Sequence, residues 1–307
     1  MLFVLITASI ATVWPQSASA ASGFSFSAAM QTVAAARQVP LPLIEAIAYV
    51  NSRWEVIGTP AGDGGVGPMH IMPRQMARAA ALSGRSRAQI ARDPAANLDA
   101  GAALLAHAHT SGTDLTSWRP AADATQGVFV AAQVYDVLRS GVSRTTSSGE
   151  AITLDPQSTL APMAPDSAVA AASVDYPLAT WVPADPNNYT VANRPHDHPV
   201  DMIVIHDIEG TYGSAIQTFQ DPNREASAHY VIADNGRIAQ MVAEKDIAWH
   251  AGNWDYNTRA IGIEHEGYAE GPNWYTTTMY RTSAQLAASI CSRWGVLMDR
   301  THVIGHY

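Results

Sequence analysis

The chain has little cysteine, little lysine and no hydrophobic run long enough to cross a membrane. Each of these absences excludes a kind of structure or a kind of partner. Cys291 is the only cysteine among 307 residues, so no disulfide bond can form within the chain. Lys245 is the only lysine among 18 basic residues, and the net charge is −9. Without a basic stripe to displace counterions from phosphates, the sequence predicts no nucleic-acid partner.

What is present indicates folded, soluble domains. Hydrophobic residues make up 47% of the chain and charged residues 15%, which is typical of globular proteins. The length allows about two domains of the usual ~100 to 200 residues. Leu286, Ile290 and Trp294 recur every four residues in a predicted helix, and Cys291 lies beside them. We therefore interpret Cys291 as a small buried hydrophobic residue.

The N-terminus has the pattern of an export signal. An apolar run from Leu2 to Trp14 is followed by small residues that end in Ala18, Ser19 and Ala20. We predict a signal peptide over residues 1–20, cleaved before Ala21, although a basic first segment is missing. The alternative is a buried N-terminal helix. Export implies a secreted or cell-wall-associated protein with no membrane span after cleavage, since the run is too short to cross a bilayer.

Residues 24–141 predict an all-α domain, because apolar residues recur at spacings of three and four and no strand-like alternation persists. Two stretches within it, IAYVNSRW (47–54) and GGVGPMHIMP (64–73), resemble the lysozyme-like fold of the lytic transglycosylases. DPAANLDAGAALLA (93–106) is similar to that family's next helix. The resemblance implies a sugar cleft beside a helix that ends in a catalytic glutamate and a serine.

The chain departs from that pattern at its central position, where Asn51 stands in place of the glutamate. A leaving glycosidic oxygen must be protonated, and a carboxamide has no proton to give. We therefore predict that Asn51 marks a degenerate glycosidase site. Glu55 lies one turn of about 5.4 Å further along and is interpreted as a solvent-exposed residue. Whether the cleft still holds a glycan strand or only stabilises its neighbour is open.

Residues 142–175 are rich in Ser, Thr, Ala and Pro and predict a linker, because such a stretch buries too little apolar surface to order itself. A second domain follows over residues 176–307. Three of its segments, MIVIHDIEG (202–210), IGIEHEG (261–267) and VIGHY (303–307), read as apolar strands that end in polar residues. His206, Glu264 and His306 are thereby expected at one edge of a sheet.

Imidazole suits zinc, and a carboxylate beside zinc-bound histidines can activate water. These motifs, together with SAHYVIADNGRI (227–238), AWHAG (248–252) and NTRAIGIEHEG (257–267), resemble the zinc N-acetylmuramoyl-L-alanine amidases of the peptidoglycan-recognition type. That family cleaves the amide between N-acetylmuramic acid and L-alanine in bacterial peptidoglycan. The resemblance implies an α/β domain in which a mixed central sheet is flanked by helices.

The resemblance also implies the site residues. His206 and His306 match the family's zinc ligands, and Glu264 matches the acidic residue that orients or deprotonates water. His229, His250 and Asn257 match positions around the substrate groove, although a single histidine such as His229 is as readily explained by packing. The family's third ligand follows the last motif, and we expect the natural chain to continue past Tyr307 to supply it.

Three functions are compatible with these patterns. The first is an exported zinc amidase that acts on peptidoglycan and carries an inactive lysozyme-like domain. The second is a non-catalytic peptidoglycan-binding protein with both active sites degenerate or incomplete. The third is a zinc hydrolase of a different amide, because specificity depends on groove contacts. Joint retention of His206, Glu264 and His306 favours an enzyme, since a binding protein needs neither metal ligands nor a water-activating acid.

Overall fold

A computed structural model describes residues 23–161, 174–272 and 274–306 of the chain. The signal peptide predicted over residues 1–20 lies outside these ranges, as does Tyr307. No helix within them combines the length and the apolar composition that crossing a bilayer requires.

The first described range is built from helices, as the apolar spacing predicts. Their ends follow local rules: Ser25 caps the first helix, and Asp93 caps the longest one, which has Pro94 at its first position. That longest helix, α5, lies at the centre and contacts α1, α3, α4 and α6. The helices are α1 (Phe26–Arg37), α2 (Leu41–Ser52), α3 (Met76–Ser83), α4 (Arg87–Arg92), α5 (Pro94–Ala108), α6 (Arg119–Gln126) and α7 (Val128–Ser140), with a 3₁₀ turn at Leu115–Trp118.

A hairpin follows the helices, where the sequence predicts a linker. Strands β1 (Val142–Thr145) and β2 (Ala151–Leu154) pair in antiparallel fashion, and Ile152 and Leu154 are buried in the helical core. The predicted linker over residues 142–175 is therefore corrected at its beginning, because residues 142–154 belong to the helical body. Its later part, residues 162–173, falls outside the described ranges.

The second part of the chain forms a mixed six-stranded sheet with helices packed beside it, as expected. The strand order is β10-β5-β9-β6-β7-β3, and β10, β5, β9 and β6 run parallel to their neighbours in that order. The strands of this sheet are β3 (Thr180–Trp181), β5 (Met202–Asp207), β6 (Tyr230–Ile232), β7 (Ile238–Gln240), β9 (Ala260–His265) and β10 (Val303–Gly305). A small pair outside it joins β4 (Tyr189–Thr190) to β8 (Ile247–Ala248), and the helices are α8 (Tyr212–Gln220), α9 (Trp254–Arg259) and α10 (Thr277–Trp294), with a 3₁₀ turn at Pro186–Asn188.

Apolar residues explain why this sheet forms. Its central strands carry buried residues in succession, as parallel strands covered on both faces do. Helix α10 covers one face with Met279, Leu286 and Ile290. Cys291 packs in the same cluster, which agrees with its interpretation as a small hydrophobic residue. Helix α8 contributes to the core on the other side of the sheet through Ile216 and Phe219.

The two parts of the chain are packed against each other. Helix α7 lies along α8, and a Cβ atom at Gly213 would lie only 2.8 Å from Val130, so glycine permits this close approach. The Gly213 N–H donates to Gln133 Oε1 at 2.9 Å. Nearby, the buried Arg53 forms ion pairs with Asp234 at 2.7 Å and Glu266 at 3.4 Å. A residue at the end of α2 thus neutralises two carboxylates of the sheet region.

Candidate active site

Three predicted residues meet at the carboxyl ends of three adjacent parallel strands. In the register of β5 and β9, His206 stands directly opposite Glu264. His306 follows the last residue of β10, and its N–H donates to the Ile205 carbonyl at 3.0 Å. The His206 and His306 ring centroids lie 4.8 Å apart. Parallel strands place their carboxyl ends at one edge, which is why residues separated by as many as 100 positions assemble here.

A third histidine from a loop joins them. His250 Nδ1 lies 3.0 Å from His206 Nε2, so one hydrogen bond links the two rings. The ring rests on β9 over Gly262, where a Cβ atom would come within 2.5 Å of it. His250 Nε2 is buried without a hydrogen-bond partner among the described residues. His250 is predicted to have a supporting role at the substrate groove. In the structure it lies directly against His206, a predicted metal ligand.

Burial keeps two histidines of this cluster, His206 and His250, neutral. Burial lowers the pKa of His206 to about 2, with further lowering by His250, His306 and His265. Burial likewise lowers the pKa of His250 to about 3, assisted by the positive charge of Arg194. Neutral imidazole is the form in which histidine offers a lone pair to a metal ion. The cluster is therefore chemically prepared for a cation without having to lose a proton.

His229 lies behind this cluster and is fully buried. Its Nδ1 accepts from the Gly262 N–H at 3.0 Å, and its Nε2 lies 2.8 Å from Arg194 Nη2 and 3.2 Å from the Asp246 carbonyl oxygen. Burial and the adjacent Arg194 lower its pKa well below the usual value. In this arrangement both ring nitrogens contact other protein groups. His229 therefore packs behind the site and leaves no ring nitrogen for a ligand.

Asn257, on α9, holds the loop that carries His250. Its Oδ1 accepts from the backbone N–H groups of His250 at 3.0 Å and Ala251 at 2.8 Å. The side chain is buried. Asn257 is predicted to bind substrate, and in the structure its side chain fixes the backbone of the loop at the site.

Glu264 is a half-buried carboxylic acid with an unused oxygen. Its Oε2 has no hydrogen-bond partner among the described residues, and the same is true of both carboxyl oxygens of Asp207. Burial, and then the charge of Asp207, raise the pKa of Glu264 to about 8. A carboxyl group that titrates close to neutral pH can both accept and return a proton. Both side chains line one cavity of 180 Å³.

The residues present fit part of a metal site. No group of three or more His, Cys, Asp or Glu side chains within the described ranges is arranged to enclose a metal ion. The imidazole rings of His206 and His306 are nevertheless in contact, with a carboxyl group in register beside His206. Two nitrogen ligands and an adjacent acid suit zinc better than magnesium or calcium, which prefer oxygen.

The position predicted to be degenerate lies apart from this cluster, at the end of α2. Asn51 is 1% exposed, and its Nδ2 donates to Gln126 Oε1 at 2.9 Å. Gln126 in turn donates to the Met69 carbonyl at 3.2 Å. The carboxamide is therefore tied into the helical body, and its other atom, Oδ1, is buried without a partner among the described residues.

Glu55 is not solvent-exposed, which corrects the sequence-based interpretation. It is 3% exposed, pairs with Arg144 at 3.0 Å, and accepts from Ser147 Oγ at 2.6 Å. Arg144 and Ser147 belong to the hairpin that the sequence analysis assigned to a linker. The two errors share one cause, because the hairpin is what buries Glu55.

Sequence reasoning also missed the contact between Arg53 and Glu266. Arg53 lies two residues after Asn51, Glu266 lies two residues after Glu264, and their side chains meet at 3.4 Å. The Arg53 guanidinium also stacks over Tyr49 and Trp274, 4.7 Å from each ring centroid. The one sequence signal for this contact was the charge of Arg53 within the helical motif IAYVNSRW (47–54). Its partner could not be identified before the two parts were docked.

Comparisons with known proteins match both parts of the chain. Residues 196–307 match the family described as N-acetylmuramoyl-L-alanine amidase, and residues 28–124 match the transglycosylase SLT domain. N-acetylmuramoyl-L-alanine amidase A of Achromobacter lyticus is 42% identical over 125 residues, which cover 40% of this chain and 67% of the relative.

Two further proteins are similar over the second part. 1,6-anhydro-N-acetylmuramyl-L-alanine amidase AmpD of Haemophilus influenzae is 31% identical over 137 residues, which cover 37% of this chain and 73% of the relative. Among solved structures, a selenomethionine derivative of AmpD is 25% identical with a TM-score of 0.35, covering 44% of this chain and 84% of that one.

Proposed function

Because the chain belongs to the N-acetylmuramoyl-L-alanine amidase family, we propose that it hydrolyses the muramoyl-alanine amide of peptidoglycan with zinc held by His206 and His306. The observation that carries the zinc assignment is the contact between the imidazole rings of His206 and His306, with Glu264 in register beside His206. When bound, zinc would supply a Lewis acid that lowers the pKa of water and polarises the amide carbonyl.

Glu264 is the general base in this proposal. Its free Oε2 can take a proton from water as the water attacks the amide carbonyl. The carboxyl group then gives the proton to the nitrogen of the departing L-alanine, since an amine must be protonated to leave. Because the pKa of Glu264 is raised to about 8, the carboxyl group must first be ionised to act as the base, and its protonated form is suited to return the proton to the leaving amine.

The other histidines and Asn257 have positioning roles in this proposal. His250 orients His206 through their shared hydrogen bond, and Asn257 fixes the backbone on which His250 is carried. His229 supports β9 through its bond to the Gly262 N–H. Hydrogen bonds around metal-binding histidines commonly fix the ring orientation, and their loss weakens metal affinity or activity about 10–100-fold.

Zinc dependence can be tested by metal removal. Incubation of the protein with purified peptidoglycan is expected to generate new alanine amino termini, and a chelator is expected to stop their release. Added zinc should restore it, whereas magnesium should not, because nitrogen ligands disfavour magnesium. Full cleavage after verified metal removal would contradict the zinc assignment. Binding to peptidoglycan without any cleavage would instead favour the non-catalytic alternative.

Export of the protein to the cell wall remains part of the proposal. It is supported by the signal-like residues 1–20 and by the peptidoglycan substrate, which lies outside the cytoplasmic membrane. N-terminal sequencing of the protein recovered from its native culture medium or cell wall tests it. A mature chain that begins at Ala21 is expected.

We propose that the helical region does not cleave glycan. Asn51→Glu tests whether the missing glutamate alone accounts for the absence of this activity. An ionised carboxyl group cannot donate to Gln126 Oε1 as the Asn51 amide does, and the position is only 1% exposed, so glycan cleavage should not be restored. The measurement is the release of soluble saccharides from peptidoglycan. Their appearance would show that Asn51 alone had removed a glycosidase activity.

A further inference from the structure

A groove runs along the junction of the two parts of the chain, and both parts line it. Its outer section is a cavity of 360 Å³. That volume lies within the range of about 300–1,000 Å³ that is usual for ligand sites. The helical region supplies one wall and α8 supplies the other, through residues that include Met72, Arg74, Val128, Phe129, Gln217 and Gln220.

The outer cavity adjoins the cavity that contains Glu264. Asp63, Thr218 and Arg224 line both of them, so the two cavities share a boundary. The inner cavity has a volume of 180 Å³ and includes Glu264 among its lining residues. A polymer whose scissile amide reaches Glu264 could therefore extend between the helical region and α8.

The shared boundary is held by contacts between the two parts. The Gly62 N–H donates to the Glu209 carbonyl at 2.7 Å, and Arg224 Nη2 donates to the Gly62 carbonyl at 3.0 Å. A Cβ atom at Gly62 would lie 2.8 Å from the Ile208 carbonyl oxygen, so only glycine allows the approach. These contacts fix the helical wall relative to the strand that carries His206.

The outer cavity has the chemistry of an amphipathic glycopeptide site. Val128 and Phe129 offer apolar surface, on which the carbon face of a sugar ring can pack. Gln217 and Gln220 donate through Nε2 to the Gln126 carbonyl at 3.2 Å and the Pro183 carbonyl at 3.1 Å, which leaves their Oε1 atoms to accept from hydroxyl and acetamido groups. Arg74 is exposed and forms no hydrogen bond or ion pair with the residues described, so its guanidinium is available to a carboxylate. Asp221 lines the same cavity, and its pKa is lowered mainly by hydrogen bonds from Asn223 and to a smaller extent by the charge of Arg74.

We propose that the helical region forms the second wall of the amidase groove and binds a peptide-bearing glycan strand there. In this arrangement the sugars lie on Val128 and Phe129, and a stem-peptide carboxylate pairs with Arg74. The lysozyme-like fold thus selects polymeric substrate for the amidase site, after the loss of its own catalytic glutamate. This proposal depends on the proposed function in one respect only, which is the identity of the bond that is cleaved at the inner end of the groove.

The test uses two variants that alter the outer cavity without touching the proposed catalytic residues. Arg74→Ala removes the free cation, and Val128→Trp fills the cavity from a position that is 50% exposed. Binding to intact peptidoglycan is measured by co-sedimentation at a series of protein concentrations, with Glu264→Gln present in every variant to prevent cleavage. Each change is expected to weaken binding about tenfold, the effect of losing one charge-assisted contact or its equivalent.

Matched controls separate the groove from general surface effects. Arg78→Ala removes an exposed arginine close in sequence to Arg74, and Leu178→Trp adds the same bulk at a position that is 72% exposed. Neither residue lines the groove. Both controls are expected to bind peptidoglycan like the parent protein. Thermal unfolding of all variants confirms that each one is folded.

Cleavage assays with Glu264 restored add a second readout. Arg74→Ala and Val128→Trp should raise KM for intact peptidoglycan and leave the cleavage of a soluble muramoyl dipeptide unchanged, because that fragment is too short to reach the outer cavity. Unaltered binding and unaltered KM for the polymer would overturn the proposal. If the two variants bind peptidoglycan more weakly but even the parent protein cleaves neither substrate, the groove proposal is upheld and the amidase assignment is overturned. Failure of the groove proposal can therefore be distinguished from failure of the amidase assignment.

Discussion

Replacing Glu264 with glutamine is expected to lower kcat for amide cleavage by about 10²- to 10⁴-fold, the usual contribution of a general acid or base. Glutamine has nearly the same shape, so the half-buried position beside Asp207 remains filled. It cannot accept a proton from water, however, nor return one to the leaving amine. The measurement is the initial rate of new alanine amino termini from peptidoglycan under saturating substrate.

Two accompanying measurements make this result specific. Zinc content should be unchanged in Glu264→Gln, because the proposed ligands are His206 and His306. Glu270→Gln alters an exposed glutamate six residues along the chain and should retain the parental rate. A Glu264→Gln protein that turned over at the parental rate would remove Glu264 from the mechanism.

Replacing His206 with alanine is expected to abolish metal binding and activity together. His206 is central to the cluster, since its ring contacts both His250 and His306. Its loss would leave one of the two proposed ligands and would remove the partner of His250 Nδ1. Catalytic zinc sites usually have three protein ligands, so the loss of one is expected to reduce affinity severely. Zinc is measured by elemental analysis of the purified protein after dialysis.

His302→Ala is the matched control for this experiment. His302 is partly exposed, and its ring bonds to Asp299 near the chain terminus, outside the histidine cluster. Zinc content and rate should both be parental in that variant. Unchanged zinc in a folded His206→Ala protein would instead exclude His206 as a ligand.

The strand assignments that organise the site could be predicted because they depend on local patterns. MIVIHD and AIGIEH carry successive apolar residues, which is typical of strands buried on both faces. Once such strands are parallel neighbours, their carboxyl ends coincide. The expectation that His206, Glu264 and His306 share an edge therefore needed no knowledge of the loops.

The hairpin was mispredicted because most of its residues are polar, although some of its side chains are buried in the helical core. Ile152 and Leu154 are buried in the helical core and Val142 packs against it, and three apolar residues in a stretch rich in Ser and Thr are too few to signal a strand pair. Glu55 was then assigned to solvent because nothing local indicated that Arg144 would reach it. Both errors concern contacts across about 90 positions of sequence.

The amino-acid sequence by itself determined the helical and sheet regions, the strands of the site and the substitution of Asn51 for a catalytic acid. These features follow from periodicity and residue chemistry, which act over a few neighbouring positions. Only the tertiary structure decided that His250 contacts His206, that Asn257 holds its loop, and that Arg53 joins the two regions. Such contacts arise when separately formed surfaces pack, and their partners are therefore set by three-dimensional geometry that no local pattern records.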